Sequence, residues 1–369
     1  MARHRGSRSR GWVVLVAAAA ALLMVAGCTG TGRFTAKGWS GLAAAGDSLY
    51  FASGNGRIAA LDREDGKITW VFPPAQGSAI QLSAHYGTPA VSADKLYVGD
   101  YSGRVFALDR KNGTQLWQYT AGGPIVGGLT LAEDKLLVPS EDGRLAVLDA
   151  ETGAQQWRFP AADSLGKVWS TPAVGDGVVV FGSLDHNVYG VDLATGREKW
   201  RLNTGGAVTG RPLIVGGRAF IGSFDRSLYA VNVQTGQVAW KATGGNWFWA
   251  SPTTDGQSVF AATVDGVLYS LEPASGTVRW KTKTGAAVIA PLIPVGDRLA
   301  VVTDDGKFRT FLIANGQEQW VLDLEEKVRA QPVVISESGV VYVTDLKFRV
   351  RALNALRGTM GWLAQLPSS

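Results

Sequence analysis

The sequence predicts an all-β protein, an eight-bladed β-propeller of four-stranded antiparallel blades. A tryptophan returns eight times, as Trp70, Trp117, Trp157, Trp200, Trp240, Trp280, Trp320 and Trp362, at separations of 47, 40, 43, 40, 40, 40 and 42 residues. Four positions before each stands a glycine: Gly66, Gly113, Gly153, Gly196, Gly236, Gly276, Gly316 and Gly358. Between these markers lie short β-rich segments divided by turn residues. A period near 40 with such units is the mark of a propeller, in which each repeat is a blade that cannot bury both faces alone.

The unit 168–204 gives the elements in order. Segments 168–174, 178–184, 188–193 and 197–204 are rich in Val, Tyr, Phe and Trp, as half-buried strands are. Gly175-Asp176-Gly177, Asp185-His186-Asn187 and Ala194-Thr195-Gly196 separate them. Asn55-Gly56, Ser102-Gly103, Asp142-Gly143, Asp265-Gly266 and Asp305-Gly306 occupy one equivalent hairpin tip, where positive φ is needed. The glycine before each Trp closes the last turn for the same reason. Eight positions before the Trp stand the polar residues Asp62, Asp109, Asp149, Asp192, Asn232, Glu272 and Asn354, where an Asp or Asn can accept backbone N–H bonds and start that turn; Leu312 breaks the series. The eight tryptophans read as structural, sealing neighbouring blades on the outer strand, rather than as a stacking set for a substrate. Each repeat supplies its own four strands, so the ring is expected to close by packing of blade 1 on blade 8, with an extra pairing by residues 33–37 left open.

The first residues read as an address. Arg3, Arg5, Arg8 and Arg10 precede an apolar run from Trp12 to Ala26, too short for a comfortable membrane span, and Val25-Ala26-Gly27-Cys28 is similar to a bacterial lipobox. The expected domains are a lipoprotein signal peptide over 1–27, a lipidated Gly/Thr-rich tether over 28–37, and the propeller over 38–369. Cys28, the only cysteine, is the expected lipidation site, and no disulfide is available. By resemblance to bacterial lipoproteins it would carry diacylglycerol. Thr29 after it resembles lipoproteins forwarded to the outer membrane, facing the periplasm. Ala2 excludes N-myristoylation. The formal charge of +5 falls away with the leader: removing residues 1–27 takes four arginines and no acid, so 36 basic residues become 32 against 31 acidic ones. Net charge therefore gives no case for a nucleic-acid partner.

Catalytic chemistry is sparse. After the leader there remain His85 and His186, in different blades and in no metal-ligand spacing. His186 reads as a turn residue; His85, in a longer loop, as a core residue or a partner contact. Asp304-Asp305-Gly306 and Glu141-Asp142-Gly143 lack the flanking spacing of a calcium loop. There is no Cys pair, phosphate loop or HExxH motif, and no Ser/His/Asp set can be assembled. No enzyme activity, cofactor or metal is expected.

The unit from Gly103-Arg104-Val105-Phe106-Ala107-Leu108-Asp109 through Gly113 to Trp117 resembles the pyrroloquinoline-quinone (PQQ) enzyme repeat, and the resemblance covers residues 38–366. Quinoprotein alcohol dehydrogenases carry it, and so does the outer-membrane assembly lipoprotein family of BamB. The former are much longer and typically hold the quinone against a vicinal disulfide, beside a calcium bound by Glu, Asn and Asp; this chain has no cysteine after Cys28 and no insertions to build a chamber. The BamB-like resemblance fits the length, lipobox and repeat. It implies a non-enzymatic scaffold for β-barrel assembly, a monomer within a complex, docked on the periplasmic domains of a BamA-like barrel subunit. BamB-like chains usually close the last blade with an N-terminal strand, whereas Trp362 here lies on a C-terminal one. A propeller serving another envelope protein or ligand is the alternative, and a quinoprotein dehydrogenase relative a remoter one.

Candidate partner residues stand at the loops entering each first strand. Three residues before the recurring Pro or its equivalent come Trp39, Tyr86, Val126, Trp169, Thr209, Trp249, Val288 and Arg329, expected to ring one face near the axis. Trp247-Phe248-Trp249 is the densest aromatic run. Exposed Trp, Tyr and Arg on one face suggest an interface, the alternative being that the rings plug the channel. Two entry loops are long, 71–86 and 159–169. The second is similar in place to the BamB loop that contacts BamA, with Leu165 and Lys167 its nearest apolar and basic matches.

Overall fold

The computed structural model describes residues 38–52, 56–74, 80, 82–160, 165–335 and 338–365. The leader, Cys28, the tether and residues 33–37 lie outside the described residues, as do parts of both long entry loops. Every regular element among the described residues is a strand. They form eight four-stranded sheets, each running first to fourth in chain order, over residues 43–72, 90–120, 130–159, 173–203, 213–243, 253–283, 293–323 and 333–365 (blades 1 to 8). The expected propeller is the observed fold.

Within a blade the middle strands are sealed and the outer strand is not. In blade 4, Val178–Gly182 is buried throughout, and Asn187–Asp192 is buried at all but its ends. In blade 7 the outer strand Glu318–Asp323 alternates between exposed and half-buried positions. Neighbouring blades cover the inner strands on both faces, and the outer strand keeps one face in water, which explains continuous apolar runs in the former and alternation in the latter.

The register slips by one residue between third and fourth strands in every blade, as at Gly190/Val191 in blade 4. On the near side of that bulge the repeating Trp faces a small residue in most blades, as in Ala60↔Trp70, Ala107↔Trp117 and Gly190↔Trp200. The bulge adds local twist, and the small partner leaves room for the indole.

The eight apolar clusters each join two adjacent blades, the eighth uniting Leu49, Phe51 and Leu61 of blade 1 with Tyr342 and Val350 of blade 8. The tryptophans build these joints. Trp200 donates its indole N–H to Val233 O of the next blade at 2.7 Å, and Trp280 likewise to Ile313 O at 2.7 Å. Each indole also lies flat against the glycine of the next blade's last turn: Trp157 on Gly196, Trp200 on Gly236, and finally Trp362 on Gly66. The glycine is thus fixed twice, by a φ near +70° and by an indole where a Cβ would stand. Only the first requirement was legible in one repeat. Trp320 is the exception in polarity, its buried indole nitrogen making no hydrogen bond.

The last turns confirm the structural role of the Asp series. Asp192 Oδ1 accepts Thr195 N–H at 2.8 Å and the Thr195 hydroxyl at 2.7 Å. Where Leu312 replaces it, the backbone bonds Leu312 N–H to Gln317 O and Gly316 N–H to Leu312 O preserve the same turn. At the hairpin tip, Gly103, Gly143, Gly266 and Gly306 have φ of 76° to 84°, and His186 takes the equivalent place at 73°.

Ring closure uses no exchanged strand among the described residues: all four strands of blade 8 come from 333–365. Trp362 Nε1–H and the Tyr342 hydroxyl both donate to Arg63 O at 3.2 Å, and Leu42 N–H reaches Gln331 O at 3.4 Å.

Candidate functional site

The antiparallel order places the loop entering each first strand and the tip between second and third strands at the same end of every blade. The entry loops follow one pattern. A buried residue comes first: His85, Ile125, Val168, Val208, Phe248, Val288 and Val328 are all 2% exposed or less. The next residue is half-buried, and these are Trp39, Tyr86, Val126, Trp169, Thr209, Trp249, Ile289 and Arg329. A small residue follows.

Two expectations are corrected by this pattern, and one open reading is decided. Phe248 is not on the face: at 2% exposure it packs among Phe220, Val259 and Tyr269 at the joint of blades 5 and 6. Val288 is likewise buried, and Ile289 holds the face position in blade 7, because Pro291 stands one place ahead of the usual proline. His85 is a core residue, with Nδ1 bonded to Gly99 O at 2.9 Å and Nε2 without a partner.

The aromatic and charged face residues of several blades pair with hairpin tips. Glu141, at the tip of blade 3, accepts Trp169 Nε1–H at 2.7 Å and Lys167 Nζ at 3.0 Å from the loop entering blade 4. Phe224, at the tip of blade 5, stacks on Trp247 at 4.9 Å and 4° and on Trp249 at 5.1 Å and 30°. Asp304, at the tip of blade 7, binds Arg329 Nε at 3.1 Å and Lys327 Nζ at 2.9 Å. Trp39, Tyr86 and Tyr101 form a further cluster, with centroids 4.7 and 5.2 Å apart. Leu165 is half-buried, its backbone N–H bonded to Gly143 O at 2.9 Å and its side chain against the core at the joint of blades 3 and 4. Of the nine candidate residues, all but Phe248 are half-buried or exposed, spread around the ring rather than gathered in one patch.

The tip residues Tyr101 and Phe224 escaped the sequence reading, and Glu141 and Asp304 entered it only as rejected calcium-loop residues. The signal was present: each directly follows the Ser, Thr or Asp that opens its tip. The charge pairs on the rim are partly exposed and weak individually. A stronger pair lies beneath it. The fully buried Asp100 carboxylate takes Arg104 Nη2 at 2.7 Å, Arg104 Nε at 3.0 Å and the Ser102 hydroxyl at 2.6 Å. Burial alone would raise its pKa, but the Ser102 and Arg104 bonds outweigh burial and hold it below the usual carboxylate range.

His85 gives a pH prediction. Burial lowers its pKa, and the Gly99 contact and the Asp100 charge only partly oppose this. The folded state therefore takes up the proton less readily than the unfolded chain, whose histidine titrates near about 6.5. This contribution to stability is intact above about pH 6.5 and is lost as the pH falls through and below that value. In His85→Val, which restores the residue type of blades 4, 5, 7 and 8, the fall in melting temperature between about pH 6.5 and 5 should shrink. An unchanged pH profile would refute the assignment.

Inside the ring of entry loops lies an axial cavity of about 310 Å³, bounded by the first strands of blades 4 to 6 and the entries to blades 7 and 8. Arg211, Ser251, Thr253, Pro291 and Gln331 help line it, and no acidic residue does. Among the described residues, no group of three or more His, Cys, Asp and Glu is placed to hold a metal ion.

With this geometry in hand, the family can be stated. The model of the family described as outer membrane protein assembly factor BamB matches residues 74–247 and 225–369. The chain belongs to the BamB family. BamB from Moraxella catarrhalis superposes with a TM-score of 0.70 at 19% identity, over 84% of this chain and 92% of that one. The computationally designed Ika8 protein does so at 0.71 and 17%, over 88% and 95%. Quinohemoprotein alcohol dehydrogenase from Comamonas testosteroni does so at 0.67 and 14%, over 90% and 76%. At these identities the structural likenesses establish the propeller alone, shared by a BamB protein, a designed protein and an oxidoreductase. No curated protein matches the sequence.

Proposed function

We propose that this BamB-family chain is a non-enzymatic scaffold of the bacterial envelope, anchored through a lipid on Cys28 and docking its entry-loop face on a partner that assembles outer-membrane β-barrels. Family membership favours the assembly role, and the lipobox-like Val25-Ala26-Gly27-Cys28 favours the anchor. The observation that carries the docking face is the rim itself. Trp169 with Lys167, Trp247 with Trp249, and Arg329 with Lys327 stand there half-buried or exposed, each braced by a residue at a hairpin tip. Bracing limits the side-chain entropy lost on association, and Trp and Arg are the residues that dominate binding hot spots. The partner that fits the family is a BamA-like barrel subunit with periplasmic domains, and the loop containing Leu165 and Lys167 is the proposed contact.

The experiment is crosslinking of the intact protein in its own cells, followed by detergent pull-down and mass spectrometry. Enrichment of a barrel protein with repeated periplasmic domains supports the proposal; capture of an unrelated envelope complex refutes the assembly role. Lys167→Glu and Trp249→Ala then test the face. Each should weaken binding by about tenfold or more, the scale of a hot-spot truncation. The Lys167 side chain is half exposed and, among the described residues, pairs with Glu141, so its substitution should leave the melting temperature within a degree or two. Leu165→Asp is the poorer probe, because it would put a charge against the core.

A further inference from the structure

The axial cavity holds a charge that the docking face does not use. At the position two residues beyond each face residue, the eight blades carry Gly41, Thr88, Gly128, Thr171, Arg211, Ser251, Pro291 and Gln331. Seven of these are uncharged. Arg211 of blade 5 is the exception, and it lines the cavity.

Arg211 has no carboxylate within ion-pair reach among the described residues, unlike Arg329, which binds Asp304. No acid lines the cavity elsewhere. Arg211 lines the cavity while keeping solvent exposure, and the protein packed around its guanidinium lowers its pKa from the ordinary arginine value. An arginine lining a cavity without a carboxylate partner leaves its donors for a bound oxyanion. Polar groups stand alongside. Ser251 Oγ accepts the backbone N–H of Arg211 at 2.9 Å, leaving its own proton to donate. Thr253 and Gln331 line the same space, and Pro252 and Pro291 give it rigid walls. A volume of about 310 Å³ falls at the small end of ligand pockets.

We propose that the axial cavity binds a small carboxylate or phosphate anion, with the Arg211 guanidinium as its principal anchor and the Ser251 hydroxyl and Gln331 amide as secondary donors. The planar fork of arginine suits either oxyanion in bidentate fashion. The site is separate from the rim, so a ligand there could be held without displacing a docked partner.

Thermal unfolding of the full chain tests this, with citrate or inorganic phosphate titrated at constant ionic strength. A ligand that binds only the folded state raises the midpoint with its concentration. Both anions also raise midpoints without a site, so the comparison with Arg211→Gln decides. The expected result is a saturable rise in the native chain with at least one anion, and an apparent affinity weakened about tenfold or more in Arg211→Gln. Which anion acts distinguishes a carboxylate site from a phosphate site. Equal rises in both proteins, or no saturable rise with either anion, would overturn the proposal. Should Arg211→Gln fail to fold, Arg211→Lys serves, since it keeps the charge and loses the fork. A clear weakening of calorimetric binding would support the site, and unchanged affinity would overturn it.

Discussion

Gly196→Ala is expected to destabilise the propeller by about 2–5 kcal/mol, whereas Gly177→Ala, in the same blade, should lose only about 1–2 kcal/mol. The two glycines have nearly the same backbone conformation, with φ of +70° and +73°. The strain of placing an L-residue in the left-handed region is therefore common to both. What differs is the surroundings. A Cβ on Gly177 would meet nothing within 4 Å, while one on Gly196 would lie 2.7 Å from Cδ2 of the Trp157 ring. That indole cannot simply retreat, because its Nε1–H is bonded to Leu193 O of the neighbouring blade at 3.1 Å. The excess loss at Gly196 thus measures the interblade contact alone. Thermal or denaturant midpoints of the two variants give the answer, and equal midpoints would show that the repeating glycine serves only its turn.

Trp362→Ala should open the ring, and its effect should be local where that of Trp200→Ala is general. Removing the buried Trp200 costs about 3–5 kcal/mol, and removing the half-buried Trp362 somewhat less. Blades 4 and 5 remain tied by the chain between them. Blades 1 and 8 are far apart in sequence and, among the described residues, share no strand, so their joint rests on packing and a few hydrogen bonds. Once it weakens, both blades become ends of an open stack, and ends fray first. Hydrogen exchange should find protection lost over 43–72 and 333–365 in Trp362→Ala while the middle blades keep theirs. In Trp200→Ala the loss should not concentrate in the terminal blades. If Trp362→Ala leaves blades 1 and 8 as protected as blades 4 and 5, closure does not depend on this joint.

Both predictions use a contact that one repeat cannot reveal. The sequence places Gly196 four residues before Trp200, and the local account is a turn closed ahead of its own tryptophan. The structure sets Gly196 against Trp157, in the blade before. The same holds on the rim. Trp169, Trp249 and Arg329 were legible as an unusual series at strand entries, but their partners Glu141, Phe224 and Asp304 come from the preceding blade in each case. Phe248 misled, and His85 was left open, for a related reason. An aromatic run and a loop histidine carry no mark of which residue turns inward until the buried-exposed-small pattern of all eight entries is aligned in space. Arg211 was passed over because an arginine among turn residues carries no local mark of a site; it is exposed, and only convergence of the first strands places it on a cavity that no acid lines.

By itself the sequence determined the eight blades, their four strands, the turn positions and the sealing role of the tryptophans. These follow from local chemistry repeated at a fixed period: alternation, positive-φ glycines and turn-capping acids. The tertiary structure alone decided which indole covers which glycine, how blade 1 meets blade 8, which entry residues remain on the face and what the axial cavity contains. Those are contacts between residues some 20 to 300 positions apart, fixed by the twist and packing of whole sheets, and no local pattern encodes them.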